Sequence, residues 1–462
     1  MKRILSGIAA AAVMVSIFTA CSKNKNSSKP ETVTTSPVTS EPEDPHKMDI
    51  TWLADYDLNP EEGEMRSAAL TLYEKVYGGK VNYVYTSAKD RFTNLDNMLA
   101  SGEEVDMLPF EMSDFPNGTI KNRYQPLDPY FNALDMDSEL WNGMRSAVDT
   151  FEYKGQHYVV PYSVSDPLFL TYSRKITDGE KLGDPYKLYK EGKWDWKAFT
   201  DIMNKFVENA PQGAKRYGIQ GVFGEAALYS TGHTVINYEN GKLVNNIADP
   251  EIEKAAKLLR DLSDKQLYLN PKNFPAGFPG DHSTLFYAMS DWALGASNGE
   301  NKDMDLMVVP FPKAEGADKY YFCGNYNAKM LAFGSKKGEA VAAYIKCERL
   351  AAANEKYAEE EKKSALKVKN NVDGEPLSFI TEEQYDAIAQ FKDLEKFSPI
   401  FDFGYGMGEK MYGFGEYTYE TRGVMNNITA AMLDETDKAD SWQSFRASVG
   451  SVIDQEIAAY NK

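Results

Sequence analysis

The sequence contains few of the residues that build metal centres and disulfide frameworks. Its 462 residues include three cysteines and four histidines. Three cysteines are too few for a disulfide framework, and the histidines show no spacing typical of metal ligands. Cys323 and Cys347 either pair in an oxidising exterior or remain buried thiols, and the sequence leaves both alternatives open. We therefore expect neither a metal ion nor a cofactor.

Basic residues are fewer than acidic ones, and long apolar runs are scarce. The chain has 51 lysine and arginine residues against 69 aspartate and glutamate residues, which gives a formal net charge of −18. Such a balance repels phosphate backbones and argues against nucleic-acid binding. No apolar run after Phe18 approaches the length that crosses a membrane, and no repeat at solenoid periods is present. The length allows two or three domains.

The N-terminal segment has the composition of an export signal. Three residues, Met1 to Arg3, form a cationic start, the stretch from Ile4 to Phe18 is apolar, and small residues precede Cys21. This order is typical of a secretory signal peptide, and it is shorter than the roughly 20 residues that span a bilayer. The residues up to Cys21 resemble a bacterial lipobox, which predicts acylation of Cys21 and anchoring to the outer face of the membrane. The alternative is plain secretion after a cut near Ala20.

After this segment, a polar stretch precedes an alternation of strands and helices. Residues 22–47 are rich in Ser, Thr, Pro, Lys, Asn and Glu, so we expect a disordered tether. Strands are predicted over 49–54, 80–85 and 105–110, with helices over 61–76 and 89–100 between them. This alternation predicts an α/β protein with parallel, doubly wound sheets, in which ligands collect at the carboxyl ends of the strands.

The rest of the chain continues the same alternation. We predict further strands over 156–160, 168–172 and 305–309. Helices are predicted over 196–209, 251–265 and 442–460. A helix over 338–353 is expected to continue into the charged run 355–363, whose simplest interpretation is a solvated helix face.

Four groups of motifs carry a resemblance to a known family. They are Val105 to Leu108 with the turn Tyr124 to Asp128, Tyr153 to Tyr162 with Leu170 to Arg174, Lys193 to Phe199, and Phe286 to Trp292 with Val308 to Lys313 and Leu331 to Lys337. In this order and spacing, over nearly the whole mature chain, the sequence resembles the family 1 extracellular solute-binding proteins of bacterial ABC importers, of the maltose-binding type. Tyr172-Ser173-Arg174 stands where the family usually has Tyr-Asn-Lys.

The resemblance implies a two-lobed periplasmic-binding-protein-like (Venus-flytrap) fold, with two hinge-linked α/β lobes that enclose a ligand. Mapped onto this chain, lobe one covers 48–163 and 325–385, and lobe two covers 164–324 and 386–462. Closure about the hinge buries the ligand, and the permease recognises the closed form.

The resemblance also implies where the ligand binds. The candidate ligand-binding residues are Phe110, Glu111, Asp114, Ser165, Asp166, Asp291, Trp292, Asn325, Tyr326, Tyr405 and Tyr417. Carboxylates accept paired hydroxyl hydrogen bonds from a sugar, and a flat indole matches the apolar face of a pyranose ring.

Alternatives stay open for three of these places. The residues from 110 to 114 also fit an ordinary polar loop, and Trp292 also fits a core position beside Phe286 and Met289. The glycine- and aromatic-rich region 401–419 also fits a packed lobe surface or a permease contact.

The expected function is a lipid-anchored receptor on the extracytoplasmic face of a bacterial membrane. It would bind a small solute, most simply an oligosaccharide, hand it to the transmembrane subunits of an ABC permease and catalyse no reaction. A surface glycoside hydrolase is one alternative, because two suitably spaced carboxylates are easily found among 69 acidic residues. A ligand sensor without transport is the other.

Overall fold

The computed structural model of the protein describes residues 46–61, 66–270, 277–278, 280–370, 374, 376–412, 423–433 and 442–462. The predicted signal peptide, the proposed acylation site Cys21, most of the predicted tether and Tyr417 lie outside the described residues. Within these ranges, no helix has both the length and the apolar character needed to cross a membrane.

The described chain alternates between strands and helices. In chain order the strands are β1 (Ile50–Ala54), β2 (Val81–Tyr85), β3 (Met107–Pro109), β4 (Glu152–Tyr153), β5 (Gln156–His157), β6 (Ser163–Ser165), β7 (Phe169–Ser173), β8 (Tyr217–Gly221), β9 (Ile236–Glu239), β10 (Lys242–Asn245), β11 (Thr284–Met289), β12 (Leu306–Pro310), β13 (Tyr320–Tyr321), β14 (Asn325–Asn327), β15 (Lys329–Leu331), β16 (Lys369–Asn370), β17 (Pro376–Ser378) and β18 (Phe397–Ser398).

The helices lie mainly between these strands. They are α1 (Ala68–Tyr77), α2 (Arg91–Ser101), α3 (Asn117–Ile120), α4 (Phe131–Leu134), α5 (Arg145–Thr150), α6 (Arg174–Gly179), α7 (Pro185–Lys190), α8 (Trp196–Glu208), α9 (Gly224–Tyr229), α10 (Pro250–Asp264), α11 (Asp291–Glu300), α12 (Gly338–Ala352), α13 (Glu355–Ala365), α14 (Glu382–Phe391), α15 (Glu409–Tyr412), α16 (Val424–Met432) and α17 (Trp442–Tyr460). Short 3-10 turns cover Met112–Asp114, Asp128–Tyr130, Glu139–Trp141 and Phe403–Gly406.

Two four-stranded sheets form the centres of the two lobes. The first has the strand order β15-β3-β1-β2 and the second the order β12-β7-β11-β8. In the first sheet β1 runs parallel to β2 and to β3, while β15 runs antiparallel to β3. In the second, β8 and β11 are parallel, while β7 runs antiparallel to β11 and β12. The predicted α/β class is confirmed, and each sheet has one antiparallel strand where the prediction was all parallel.

The antiparallel strands follow from how the chain crosses between the lobes. Strands β6 and β14 pair as an antiparallel ribbon, with Ser163 opposite Asn327 and Ser165 opposite Asn325. The chain passes from β6 into β7 of the second sheet, and from β14 into β15 of the first. Each of these strands starts at the crossing, whereas the strands paired with it run the opposite way and end there. We call β6 and β14 the hinge ribbon.

Helix α8 shows how local sequence builds the elements around the sheets. Its N-cap Asp195 accepts a hydrogen bond from the backbone N–H of Ala198, which satisfies one of the donors left free at a helix start. Five apolar side chains then recur at helical spacing and are buried against the second sheet: Trp196, Phe199, Ile202, Met203 and Phe206.

One predicted helix is two helices in the structure. The chain leaves α12 after Ala352, and Asn354 adopts an extended conformation with φ −85° and ψ 116°. The Asn354 side chain accepts a hydrogen bond from the backbone N–H of Lys356 and so begins α13. The prediction of one continuous helix from 338 to 363 was wrong because asparagine at this position acts as a cap.

The predicted lobe boundaries stay predictions, and contacts near residue 380 bear on one of them. The backbone N–H of Phe379 donates to the carbonyl of Gly295 at 3.2 Å. Gln384 in α14 donates to the carbonyl of Leu306 in β12 at 2.6 Å. Because both partners belong to the predicted lobe two, we propose that the last crossing between lobes lies before residue 376 rather than at 385.

The two cysteines in the described chain are both free thiols. Cys347 is buried in α12, and Cys323 is half-buried beside the hinge ribbon. Burial raises the pKa of the Cys347 thiol to about 12, which keeps it protonated. The alternative of a Cys323–Cys347 disulfide is therefore absent from this structure.

Candidate ligand-binding cleft

The first sheet ends in a row of loops at one edge, which we call the first-lobe edge. Ala54 lies opposite Tyr85 and Trp52 opposite Met107, so β1, β2 and β3 end at the same level. The residues that follow or end these strands are Asp55, Tyr56, Tyr85, Phe110 and Glu111. Tyr56 and Tyr85 are exposed there.

A buried arginine joins two of these loops. The Arg91 side chain is 2% exposed and donates through Nη2 to Asp55 Oδ1 and through Nη1 to Glu111 Oε1. The two carboxylate side chains remain 32% and 40% exposed. One positive charge therefore faces two negative charges, which leaves the group with a net charge of −1 and oxygen atoms open to solvent.

The second sheet ends in a comparable row of loops, the second-lobe edge. Ala288 lies opposite Gly221, Met289 opposite Phe169, and Pro310 also opposite Phe169, so these strand ends share one level. Val222 follows β8 and is exposed, and Trp292 in the first turn of α11 is 72% exposed. The alternative that Trp292 is a core residue is wrong, because its side chain faces solvent.

Asp291, the neighbour of Trp292, is fixed by an ion pair. Lys392 Nζ donates to Asp291 Oδ2 at 3.0 Å, and the two side chains are 29% and 26% exposed. Asp291 is also the first residue of α11, where the helix dipole favours a negative charge. We infer that Asp291 holds the start of this helix and thereby positions Trp292.

The hinge ribbon has one polar and one apolar face, because side chains alternate along a strand. On the polar face, Asn327 Nδ2 donates to Ser163 Oγ at 3.0 Å, and Ser165 Oγ donates to Asn327 Oδ1 at 3.3 Å. On the other face, the Tyr326 hydroxyl donates to the carbonyl of Ile400 at 3.1 Å, and its ring centroid lies 5.0 Å from that of Phe151. The polar face supplies amides and hydroxyls, and Tyr326 packs behind it.

Asp166 joins the hinge ribbon to the second-lobe edge. Its carboxylate accepts a hydrogen bond from Asn325 Nδ2 at 2.9 Å, and its carbonyl accepts one from Ser290 Oγ at 3.3 Å. The Asp166 backbone has φ 48°, in the left-handed region that most residues other than glycine avoid. A Cβ on Gly324 would lie 2.9 Å from the Asp166 carbonyl oxygen, so only glycine fits beside this turn.

Two predicted site residues lie in the interior. Asp114 is 2% exposed and accepts hydrogen bonds from Arg123 Nη1 at 2.6 Å and from the Tyr124 hydroxyl at 2.7 Å. Burial raises the pKa of Asp114, and the Arg123 guanidinium opposes that rise. Tyr405 is also buried, and burial raises its pKa well above the usual value. Neither side chain reaches the cleft, so we leave both out of the proposed site.

The described part of the aromatic region 401–412 packs between the lobes. The Phe401 ring centroid lies 4.5 Å from that of Phe151 and 6.0 Å from that of Phe115. A Cβ on Gly406 would lie 1.6 Å from the Phe115 carbonyl oxygen, so the chain here approaches the first lobe closely. This packing corresponds to the alternative of a packed lobe surface. Tyr417 and Tyr419 lie outside the described residues.

Six of the remaining predicted site residues lie along the two edges and the hinge ribbon: Glu111, Ser165, Asp166, Asp291, Trp292 and Asn325. Phe110 is half-buried and packs edge-on against Phe151, with ring centroids 5.4 Å apart. The sequence interpretation missed Asp55, Tyr56, Tyr85 and Arg91. The available signal was their position at or directly after the ends of predicted strands, except for Arg91, which lies inside a predicted helix.

The described residues contain no group of three or more His, Cys, Asp or Glu side chains that could hold a metal ion. The loops at the two edges and the hinge ribbon present aromatic faces, half-exposed carboxylates, amides and hydroxyls. These groups bind a polar organic molecule by stacking and hydrogen bonding.

Two α/β lobes, joined by a crossing ribbon and facing each other through strand-end loops, define a two-lobed binding-protein fold. The chain belongs to the bacterial extracellular solute-binding protein family, whose model matches residues 68–361. The resemblance predicted from the sequence motifs is confirmed at this level. A search of curated protein sequences finds no match.

Solved structures share this fold at low sequence identity. The sugar-binding protein MalE from Xanthomonas citri is 12% identical, with a TM-score of 0.59 over 89% of this chain and 97% of that chain. The galacto-N-biose-/lacto-N-biose I-binding protein of an ABC transporter from Bifidobacterium longum, solved with lacto-N-biose, is 13% identical, with a TM-score of 0.58 over 89% and 97%. An ABC substrate-binding protein from Listeria monocytogenes, solved with cycloalternan, is 16% identical, with a TM-score of 0.56 over 89% and 99%. These similarities confirm the two-lobed fold.

Proposed function

We propose that the protein is a lipid-anchored, extracytoplasmic receptor that captures an oligosaccharide between its lobes and delivers it to an ABC permease. The observation that carries this proposal is the 72% exposed Trp292 on the second-lobe edge. An indole left in water at a cleft costs stability, and it is well suited to stack on the apolar face of a sugar ring.

The other edge supplies complementary chemistry. Tyr56 and Tyr85 present exposed rings, and Asp55 and Glu111 present half-exposed carboxylates. Each carboxylate oxygen accepts hydrogen bonds from neutral hydroxyl groups without a proton transfer. A ligand with apolar faces and many hydroxyls satisfies both edges, and oligosaccharides have this combination. The oligosaccharide ligands of the structural relatives support the same ligand class.

The same residues argue for binding rather than hydrolysis. Asp55 and Glu111 both accept hydrogen bonds from Arg91, and Asp291 accepts one from Lys392. Each of these carboxylates is therefore already held by a basic side chain, whereas a glycosidase places two carboxyl groups on either side of the scissile bond to act on it. Membership of a solute-binding family supports the same conclusion.

We expect Trp292→Ala to weaken oligosaccharide binding by ten-fold or more, because the stacking contact contributes about 1–2 kcal/mol. Isothermal titration calorimetry with the oligosaccharide that binds the wild type measures the effect. The matched control is Phe333→Ala, since Phe333 is also exposed but follows β15 at the edge of the first sheet opposite the cleft. Unchanged affinity in Trp292→Ala, with the fold intact, would remove Trp292 from the site.

The proposed anchor is tested by Cys21→Ser. Because a serine cannot take the thioether-linked lipid, we expect the variant to leave the membrane fraction and to lack the mass of the acyl chains. Cell fractionation and mass spectrometry of the wild type and the variant measure both. Cys347→Ser, which alters a buried thiol in α12, is the control for cysteine replacement. Equal membrane association of Cys21→Ser and wild type would contradict the anchor.

A further inference from the structure

In the cluster of Arg91, Asp55 and Glu111, a buried arginine pairs with two carboxylates that are both partly exposed. Asp55 follows β1, Arg91 begins α2 beyond β2, and Glu111 lies two residues after β3. Because β3, β1 and β2 are neighbours in the first sheet, the segments that follow these three strands meet at the first-lobe edge. Each of these segments contributes one residue to the cluster. The arginine lies inside, at 2% exposure, and both of its carboxylate partners reach the surface of the cleft.

Each Nη atom of Arg91 donates to a different carboxylate, and each carboxylate contributes one oxygen. Within the described residues, no other side-chain hydrogen bond to Asp55 or to Glu111 is present. The second oxygen of each carboxylate therefore remains for a ligand. The rigid fork of the guanidinium fixes the spacing of the two carboxylates, which a lysine ammonium would fix less well.

The protein contains a second buried arginine between two carboxylates, and the contrast is informative. Arg123 donates through Nε and Nη2 to Asp96 and through Nη1 to Asp114. There the side chain of one carboxylate, Asp114, is 3% exposed, so a ligand in the cleft cannot reach it. At Arg91 both carboxylates are open, at 32% and 40% exposure. The difference is not one of charge, since both groups have a net charge of −1, but of access.

We propose that Arg91 is a positioning residue that orients Asp55 and Glu111 for a ligand and sets the charge selectivity of the cleft. The proposal rests on the proposed function of ligand capture. With Arg91 present, the cluster of three residues has a net charge of −1, and its two carboxylates accept hydrogen bonds from the hydroxyl groups of a neutral sugar. Without it, two adjacent negative charges attract a cationic ligand instead.

The first experiment compares two ligands of the same backbone, neutral triacetylchitotriose and its deacetylated, cationic form. In Arg91→Met, we expect the ratio of affinities to shift at least ten-fold toward the cationic trimer, as measured by titration calorimetry at low salt. Arg91→Lys should weaken binding of the neutral trimer without this shift, because the charge remains. Arg216→Met is the matched control. It also removes a largely buried arginine that pairs with a carboxylate, Glu180, but Arg216 precedes β8 at the end of the strand away from the cleft.

A second experiment needs no sugar and separates this proposal from the proposed function. Two carboxylates that lose their shared guanidinium form a site for a hard cation, which prefers carboxylate oxygens. We expect 10 mM calcium chloride to raise the melting temperature of Arg91→Met by several degrees more than that of the wild type or of Arg216→Met.

The outcomes are distinguishable. If no sugar binds the wild type but calcium stabilises Arg91→Met alone, the oligosaccharide assignment fails and the role of Arg91 in setting charge at this edge stands. If the ratio of trimer affinities is unchanged in Arg91→Met, or if calcium affects all three proteins equally, the proposal for Arg91 is overturned. A wild type that already prefers the cationic trimer would overturn it as well.

Discussion

Replacing Arg123 by methionine will lower the free energy of unfolding by about 3–5 kcal/mol, the cost typical of breaking a buried ion pair from one side. Arg123 is almost completely buried and forms ion pairs with Asp114 and Asp96. Without the guanidinium, the Asp114 carboxylate would stay in the interior with hydrogen bonds only from neutral groups, Tyr124 and Asn117. Urea denaturation followed by circular dichroism measures the loss.

The double variant Arg123→Met with Asp114→Asn is the control for this prediction. Removing the carboxylate charge as well as its partner should recover part of the lost stability, because no uncompensated charge is then buried. A single variant Arg123→Met as stable as the wild type would contradict the assignment of Asp114 to the interior. It would also reopen Asp114 as a ligand contact.

The protein will lose stability as the pH rises from 3.8 to about 7, because the pKa of Asp402 is raised in the folded state. Burial raises the pKa of Asp402 to about 7, against an ordinary value of 3.8. The backbone N–H groups of Val235, Ile236 and Gly404 donate to this carboxylate and oppose the rise. Nearby Glu225 is also in a buried setting, which raises its pKa and adds to the effect on Asp402.

The sign follows from proton binding. Between pH 3.8 and about 7, the folded state holds the Asp402 proton more tightly than the unfolded state. The contribution of Asp402 is therefore fully present below pH 3.8 and is lost as the pH rises through about 7. At about 1.4 kcal/mol for each pKa unit, the loss has an upper bound of about 4 kcal/mol.

Thermal unfolding of wild type and Asp402→Asn across this pH range tests the prediction. Asparagine keeps one oxygen, which can accept from Ile236 and Gly404, and loses the bond from Val235. Because asparagine does not titrate, the variant starts from a lower stability, but that stability should depend less on pH. Equal slopes in the two proteins would show that Asp402 is ionised throughout the range. In that case the three backbone donors, and not burial, determine its protonation state.

The fold and part of the cleft follow from the sequence for identifiable reasons. The alternation of 2- and 3.6-residue patterns before residue 110 placed β1, β2 and β3, and family motifs then implied the crossing at Ser165 and Asn325. Trp292 was found because the family resemblance places a stacking tryptophan at this position, which follows β11 in the structure. The periodicity and the motifs are both properties of short stretches of sequence, so they can be recognised without knowledge of the folded structure.

The errors concern the direction in which a side chain points and contacts between residues that are far apart in the sequence, and neither can be read from a short stretch of sequence. Asp114 follows β3 closely enough to suggest the cleft, but the 3-10 turn at Met112–Asp114 directs it toward Arg123 and Tyr124. Tyr405 lies in a run of glycines and aromatics whose composition is the same for a cleft and for a core. Arg91 was missed because its role depends on two carboxylates that are 36 and 20 residues away.

The central claim is that the cleft captures an oligosaccharide, and titration calorimetry of the purified protein against neutral oligosaccharides, amino acids and polyamines tests it most directly. We expect one neutral oligosaccharide class to bind with one ligand per chain. Its affinity should fall ten-fold or more in Trp292→Ala and stay unchanged in Phe333→Ala. Binding of an amino acid or polyamine alone, or oligosaccharide binding that is indifferent to Trp292, would contradict the account.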